Sequence, residues 1–318
     1  MSERVKILSL PLPWQEDMWS EFNRQVKANR LPHAILLSGP NGIGKTRLAL
    51  SLAQKMLCGL EDHDYACGTC KNCLLLSANT HPDLSSITIP EKGKEITIGE
   101  IRKLSSVISK TAQQGGWKIV IIDPAEAMNT SASNALLKSL EEPQGKTLVI
   151  LVTHRPTLLA ATIRSRCQII SLIAPPPNAA KSWLNDVLKD SKDIDKALEI
   201  SDGRPLLALD YLESNSLQDQ QRFEEIIVAV RDGSLSFIDA AQQCAKLDIR
   251  PALEWFINYL HRTTISDKRV QSNQNIYVFL DRLNQMYHLI VTGSNVNQLL
   301  IWEELLMSWR QTFLADST

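Results

Sequence analysis

A chain of 318 residues with 44% hydrophobic and 22% charged side chains is ordinary for a globular protein and long enough for two or three domains. Its formal net charge of −1 excludes a global electrostatic attraction to nucleic acid, and no apolar run reaches the length of a membrane span. Six cysteines, four of them clustered, favour a metal over disulfides, and the start Met1-Ser-Glu-Arg-Val-Lys6 has no secretory apolar core behind it, so a cytoplasmic protein is expected.

In chain order, Pro11, Pro13 and Trp14 precede an amphipathic helical pattern over 18–28, which reads as packing that leads into the first strand. That strand is Ala34-Ile-Leu-Leu37, short and wholly apolar. Gly39-Pro-Asn-Gly-Ile-Gly-Lys-Thr46 then fits the phosphate-binding pattern G-x-x-x-x-G-K-[ST] at every fixed position, and a helix is expected over 47–57. Strand, glycine loop and helix is the context this motif needs. Gly39, Gly42 and Gly44 let backbone N–H groups curl around phosphate oxygens, and the helix N-terminus adds its positive end. Lys45 is placed to reach the terminal phosphates and Thr46 to hold Mg²⁺.

Cys58, Cys67, Cys70 and Cys73 follow with a C-x8-C-x2-C-x2-C spacing. Four thiolates make a closed tetrahedral set, which suits structural Zn²⁺. The rival, an iron–sulfur cluster, would want another cysteine shortly after Cys73, and none is there. His63 and His81 read as surface residues, Cys167 and Cys244 as isolated buried ones.

Asp83-Leu-Ser-Ser-Ile-Thr-Ile-Pro90 predicts a strand, 91–95 a charged turn, and 98–112 a helix with Ile98, Ile101, Leu104 and Ile108 on one face, ended by Gly115-Gly116. Trp117-Lys-Ile-Val-Ile-Ile-Asp123 has the near-continuous apolar character of a central parallel strand and ends on a carboxylate. A helix over 134–143 offers Ala135, Leu136 and Leu140 to a core, with Glu141-Glu142 as a solvated end. Strands are expected over 147–153 and 168–173. The prolines of Ala174-Pro-Pro-Pro177 mark a boundary. Beyond it lie three short helical patterns, over 179–188, 194–200 and 206–212. Five longer ones follow, over 223–230, 237–246, 249–263, 275–292 and 296–313, predicting an all-helical bundle. Trp255, Tyr259, Tyr287, Trp302 and Trp309 read as core or interface residues, because basic residues are not interleaved with them.

Ser133-Asn-Ala-Leu-Leu-Lys-Ser-Leu-Glu-Glu-Pro143 and Thr162-Ile-Arg-Ser-Arg-Cys167 resemble the AAA+ subunits of clamp loaders, whose bacterial members carry a zinc module where the four cysteines stand. The resemblance covers about the first half of the chain and part of a lid; the last third carries no motif of its own. It implies an α/β AAA+ phosphate-loop domain over 1–174 with an inserted Cys₄ zinc module at 58–73. A small helical lid over 175–213 and an all-α collar over 214–318 would follow. Asp123 would support Mg²⁺ and Thr153 would sense a γ-phosphate. Arg166 of Ser-Arg-Cys would act as a finger on ATP held by a neighbouring subunit. The partners implied are gamma/tau-like motor subunits and a delta-like subunit in a hetero-oligomeric ring, with the sliding clamp and primed DNA reached through the complex.

Two departures from the motor pattern stand out. Asp123 is followed by Pro124, where the motors carry a glutamate that polarises water, and Glu126 is expected to point elsewhere. In the lid, Arg204 is followed by Pro205, so it is expected at the turn before a helix, as a solvated arginine. The expectation is therefore ATP/Mg²⁺ bound with absent or very weak turnover. Two alternatives remain: a gamma/tau-like motor ATPase, and a zinc-containing AAA+ protein that binds DNA directly. Nucleotidyl transfer belongs to the surrounding polymerase, since no paired metal-binding carboxylates are framed for it here.

Overall fold

The computed structural model describes residues 8–60, 63–90, 95–108, 112–114, 116–141, 145–189, 193–214, 216–266, 273–291 and 297–314. The sequence readings at 1–6, 91–94, 109–111, 115, 142–143, 292 and 296 lie outside them. The chain divides into two compact units, Met1–Ala179 and Ala180–Thr318.

The first unit is built on a five-stranded parallel sheet in the order β2-β3-β4-β1-β5. The strands are β1 Ala34–Ser38, β2 Leu84–Ile87, β3 Lys118–Ile122, β4 Thr147–Thr153 and β5 Gln168–Ser171. Every residue of β1, β3 and β4 is buried, whereas the edge strands β2 and β5 are largely half-buried or exposed. That is why the central runs are almost unbroken Ile, Leu and Val.

Side chains alternate across the pleat and feed two separate apolar layers. Ile35, Leu37, Ile119, Ile121, Leu148, Ile150 and Val152 pack with Trp19 and Phe22 of α1 (Glu16–Lys27) and Leu48 and Leu52 of α2 (Lys45–Leu57). Ala34, Leu36, Val120, Ile122, Val149 and Leu151 face the other way. They meet Ile101 and Leu104 of α4 (Ile98–Ile108) and Leu136 and Leu140 of α5 (Thr130–Glu141). Each fully buried Leu or Ile contributes about 1.5–3 kcal/mol. Because all strands run the same way, their C-terminal ends share one rim, where open α/β sheets bind ligands.

Among the described residues this unit also holds the α-helices α3 (Lys71–Ser77) and α6 (Ala161–Arg164). The sequence pattern missed α3, a seven-residue helix too short to show an apolar period. Cys244 is buried as expected, but Cys167 is only half-buried.

The second unit is helical: α7 Pro177–Leu188, whose first three residues precede the boundary, α8 Ile194–Ile200, α9 Pro205–Glu213, α10 Ser216–Arg231, α11 Phe237–Cys244, α12 Ile249–Ser266, α13 Gln274–Val291 and α14 Gln298–Leu314. Pro177 and Pro205 each open a helix, where the missing N–H costs nothing. One apolar cluster runs from Ala180 to Trp309. At its centre Phe223, Phe256, Phe279, Trp302 and Trp309 meet edge-to-face or tilted, with ring centroids 5.3–5.8 Å apart. The Trp309 Nε1–H donates to the Ile227 carbonyl at 2.8 Å. Trp255, Trp302 and Trp309 are buried, and Tyr259 and Tyr287 pack partly buried against them.

Candidate functional site

The glycine loop lies at the rim of the sheet, between the end of β1 and the start of α2. Gly39, Gly42 and Gly44 all have positive φ, at 147°, 82° and 91°. Two of them are also hemmed in. A Cβ on Gly39 would sit 2.2 Å from the Leu172 carbonyl oxygen, and one on Gly44 would sit 2.3 Å from Leu12 Cδ1. No other residue type fits there without displacing its surroundings.

The segment before α1 does more than pack. Trp14 Nε1 donates to the Ile43 carbonyl at 3.1 Å, and Gln15 Nε2 donates to the Ile43 and Gly44 carbonyls at 3.2 and 3.1 Å. Gln15 is 1% exposed, and its Oε1 accepts from the Leu12 N–H at 2.9 Å. One amide side chain thus ties three backbone groups together and holds the loop from behind. Leaving such buried groups unpaired costs about 1–3 kcal/mol each. Sequence reasoning passed over Gln15 because its partners lie 28 and 29 positions away.

Lys45 opens α2 and is 3% exposed, with its Nζ donating to the Gly39 carbonyl at 2.7 Å and to the Pro40 carbonyl. Thr46 Oγ1 donates to Asp123 Oδ2 at 2.5 Å. The pairing of β1, β4 and β3 brings these two together across 77 positions. Thr153 pairs with Ser38 in register and is fully buried, with its Oγ1 accepting from the Arg155 N–H at 3.2 Å.

His154 directly follows β4. Its Nε2 stands 3.9 Å from Asp123 Oδ1. Burial foremost, then the Lys45 charge, push the imidazole pKa down, against the opposing pull of Glu126 and Asp123. Glu126 is turned toward the end of β4, where its Oε1 accepts from the His154 N–H at 2.9 Å.

The four cysteines converge. Their sulfurs all lie within 4.8 Å of one another, with Cys58–Cys70 at 4.0 Å and Cys67–Cys73 at 3.8 Å. A tetrahedral ZnS₄ centre with bonds of about 2.3 Å has edges of about 3.8 Å, so this donor set fits Zn²⁺. Cys58 closes the C-terminus of α2, Cys70 caps α3, and Cys73 lies in its first turn. Backbone N–H groups of Cys67, Cys70 and Cys73 point at the sulfurs of Cys58, Cys67 and Cys70 at 3.3–3.4 Å. N–H groups of Thr69 and Cys70 push the Cys67 thiol down to about 5, so it offers a ready thiolate.

His63 is exposed, as read. His81 is not a surface residue: it is 5% exposed, and its Nδ1 accepts from the Asp83 N–H at 3.2 Å. Asp83 in turn accepts from the Gln113 and Gln114 N–H groups at 2.8 and 3.0 Å, fixing the approach to β3.

Arg166 follows α6 on the surface. Its Nε and Nη2 contact Glu141 Oε1 at 2.7 and 2.5 Å, and its Nη1 donates to the Thr162 carbonyl at 2.9 Å. With side chains 35% and 48% exposed, this ion pair is worth about 0–1 kcal/mol. Glu141 is therefore engaged rather than merely solvated. Arg204, expected in solvent, is buried at the N-cap of α9, where its Nε donates to the Ser201 carbonyl at 2.5 Å and its Nη2 lies 3.5 Å from Asp202. A long stem can lie in the fold while its head bonds locally, which sequence neighbours do not reveal.

A family model described as DNA polymerase III, delta subunit, matches residues 14–176. The DNA polymerase III subunit delta′ of Pseudomonas aeruginosa is 33% identical over 324 residues, a match that covers 93% of this chain and 96% of that protein. The delta′ subunit of Haemophilus influenzae is 34% identical over 66% of this chain and 64% of its own length. That of Escherichia coli K12 is 35% identical over 65% and 62%. A match over 93% of the chain enters both compact units, including the helical one that carries no readable motif. The chain belongs to the DNA polymerase III subunit delta′ family.

Proposed function

We propose that this chain is the delta-prime-like subunit of a replicative clamp loader, which helps place a sliding clamp on primed DNA while turning over little or no ATP itself. One observation carries this reading. The nucleotide-holding groups Lys45, Thr46 and Asp123 are assembled, yet the residue after Asp123 is Pro124, and the next carboxylate, Glu126, is bonded to the His154 N–H. An AAA+ site of this kind can bind phosphates but lacks a carboxylate on the residue that directly follows the strand-end Asp, where it would polarise the attacking water.

In this role the glycine loop would cradle the phosphates, Lys45 would exchange the Gly39 carbonyl for a terminal phosphate, and Thr46 and Asp123 would hold Mg²⁺. The ion would neutralise phosphate charge. Thr153 would exchange its Arg155 contact for one to the γ-phosphate. Cys58, Cys67, Cys70 and Cys73 would hold structural Zn²⁺, which ties the end of α2 to α3. Residues 175–213 would serve as the lid, and 214–318 as the collar that joins the gamma/tau-like motor subunits and a delta-like subunit in a ring.

Arg166 supplies the chemistry. Projected onto the ATP of the adjacent motor subunit, a guanidinium stabilises charge spreading over the transferring phosphoryl group, an effect of about 10³–10⁵ at the site concerned. The test is the ATPase rate of a complex rebuilt with this chain, its motor partners, clamp and primed DNA. Arg166→Ala is expected to lower that rate at least about tenfold with the ring intact, while the isolated chain stays inert. An unchanged rate would remove the trans-acting role. Turnover by the isolated chain at the motors' own rate would reassign it as a motor subunit.

A further inference from the structure

The end of α5 holds a group that the proposed role of Arg166 leaves unused. Glu141 stands 25 positions before Arg166, on a different element, and its Oε1 takes both Nε and Nη2 of the guanidinium. The Thr162 carbonyl, four residues before Arg166, takes Nη1. A guanidinium carries five N–H groups in a rigid plane. Three are spent on these contacts. One hydrogen remains on each terminal nitrogen, and phosphate oxygens are acceptors for such groups.

We infer that Glu141 is a positioning residue for Arg166: it fixes the guanidinium plane so that the two remaining N–H groups face outward, toward a phosphate held by a neighbouring subunit. The inference rests on the trans-acting role proposed above. Its physical basis is the orientation of a four-torsion side chain. Thr162 alone leaves the plane free to swing about one hydrogen bond. Contacts along two edges of the fork fix the plane. A displacement of about 1 Å at a reacting centre can cost about a hundredfold in rate, so a group that fixes the plane acts on catalysis without touching substrate. The Leu-Glu-Glu-Pro stretch thereby serves the nucleotide site of another subunit through Glu141, while Leu136 and Leu140 of the same helix serve the core of this one.

The experiment uses the full rebuilt complex with clamp and primed DNA. It compares wild type, Glu141→Ala, Glu141→Gln, Arg166→Ala, and Glu141→Ala with Arg166→Ala. Glu141→Ala is expected to lower kcat about fivefold, the most that an exposed pair worth up to about 1 kcal/mol can hold in place, with KM for ATP changed less than about twofold. Glu141→Gln keeps an oxygen acceptor at the same place and is expected to retain the rate within about threefold. In the Arg166→Ala background, Glu141→Ala should add nothing. Wild-type or faster turnover by Glu141→Ala, while Arg166→Ala is slow, overturns the positioning role and leaves the finger standing. An additive loss in the double variant overturns it too. An unchanged rate in Arg166→Ala removes both.

Discussion

The glycine loop and the Arg166 corner sit in the same compact unit and are built in opposite ways. The loop is over-determined: Trp14 and Gln15 hold its carbonyls, Leu12 and the Leu172 carbonyl crowd its glycines, and Lys45 bonds back into it. Arg166 rests on the surface against one carboxylate and one carbonyl. The first arrangement suits a group that must keep its shape whether or not a ligand is present. The second suits a group that must meet something outside the molecule. Stability and function should therefore separate between the two regions, and substitutions can test that separation.

The largest effect is expected at Gly39. Gly39→Ala drives a Cβ into a backbone carbonyl that no rotamer can move, and should cost about 3 kcal/mol or more, read as a fall in Tm or urea midpoint. A variant as stable as wild type would show that the loop is far more pliant than its packing implies. A smaller effect comes from His154. Its folded-state pKa lies below that of the unfolded chain, so the folded protein binds fewer protons there. Above about pH 6.5 both states are neutral and the residue is without effect on pH dependence. As pH falls below that value, the unfolded chain takes up the proton first, so stability drops until the folded-state pKa is passed. Urea midpoints between pH 8 and 5 should show this fall, and His154→Gln should lessen it, the remainder coming from His81 and His261, whose pKa values burial also lowers. The smallest effect is at the other region. Arg166→Ala and Glu141→Ala should each shift folding stability by no more than about 1 kcal/mol, since an exposed pair contributes little. A large loss of Tm in either variant would erase the contrast between the regions.

Much of the first unit was legible because its signals are local. The apolar runs of β1, β3 and β4 and the glycine loop each lie within a few consecutive residues, and the four cysteines lie between 58 and 73. What escaped depends on partners far along the chain. Gln15 reads as a helix-flanking polar residue until the Gly44 carbonyl arrives beside it. His81 and Arg204 look solvated until packing around them is known. Glu141 looks like a spare charge until Arg166 folds against it. In the second unit the helices could be read from their period. The arrangement of aromatic rings around Trp309 could not, because it is set by which helix faces meet.

Helix α2 starts at the glycine loop and stops at Cys58, a run of 13 residues and about 20 Å. At one end Gln15 clasps the Gly44 carbonyl; at the other, Cys58 closes the last turn and joins the sulfur cluster. A rod anchored at both tips can neither slide nor rotate on its axis. The glycine loop and the sulfur cluster are thereby held at a set spacing, as by a tie bar.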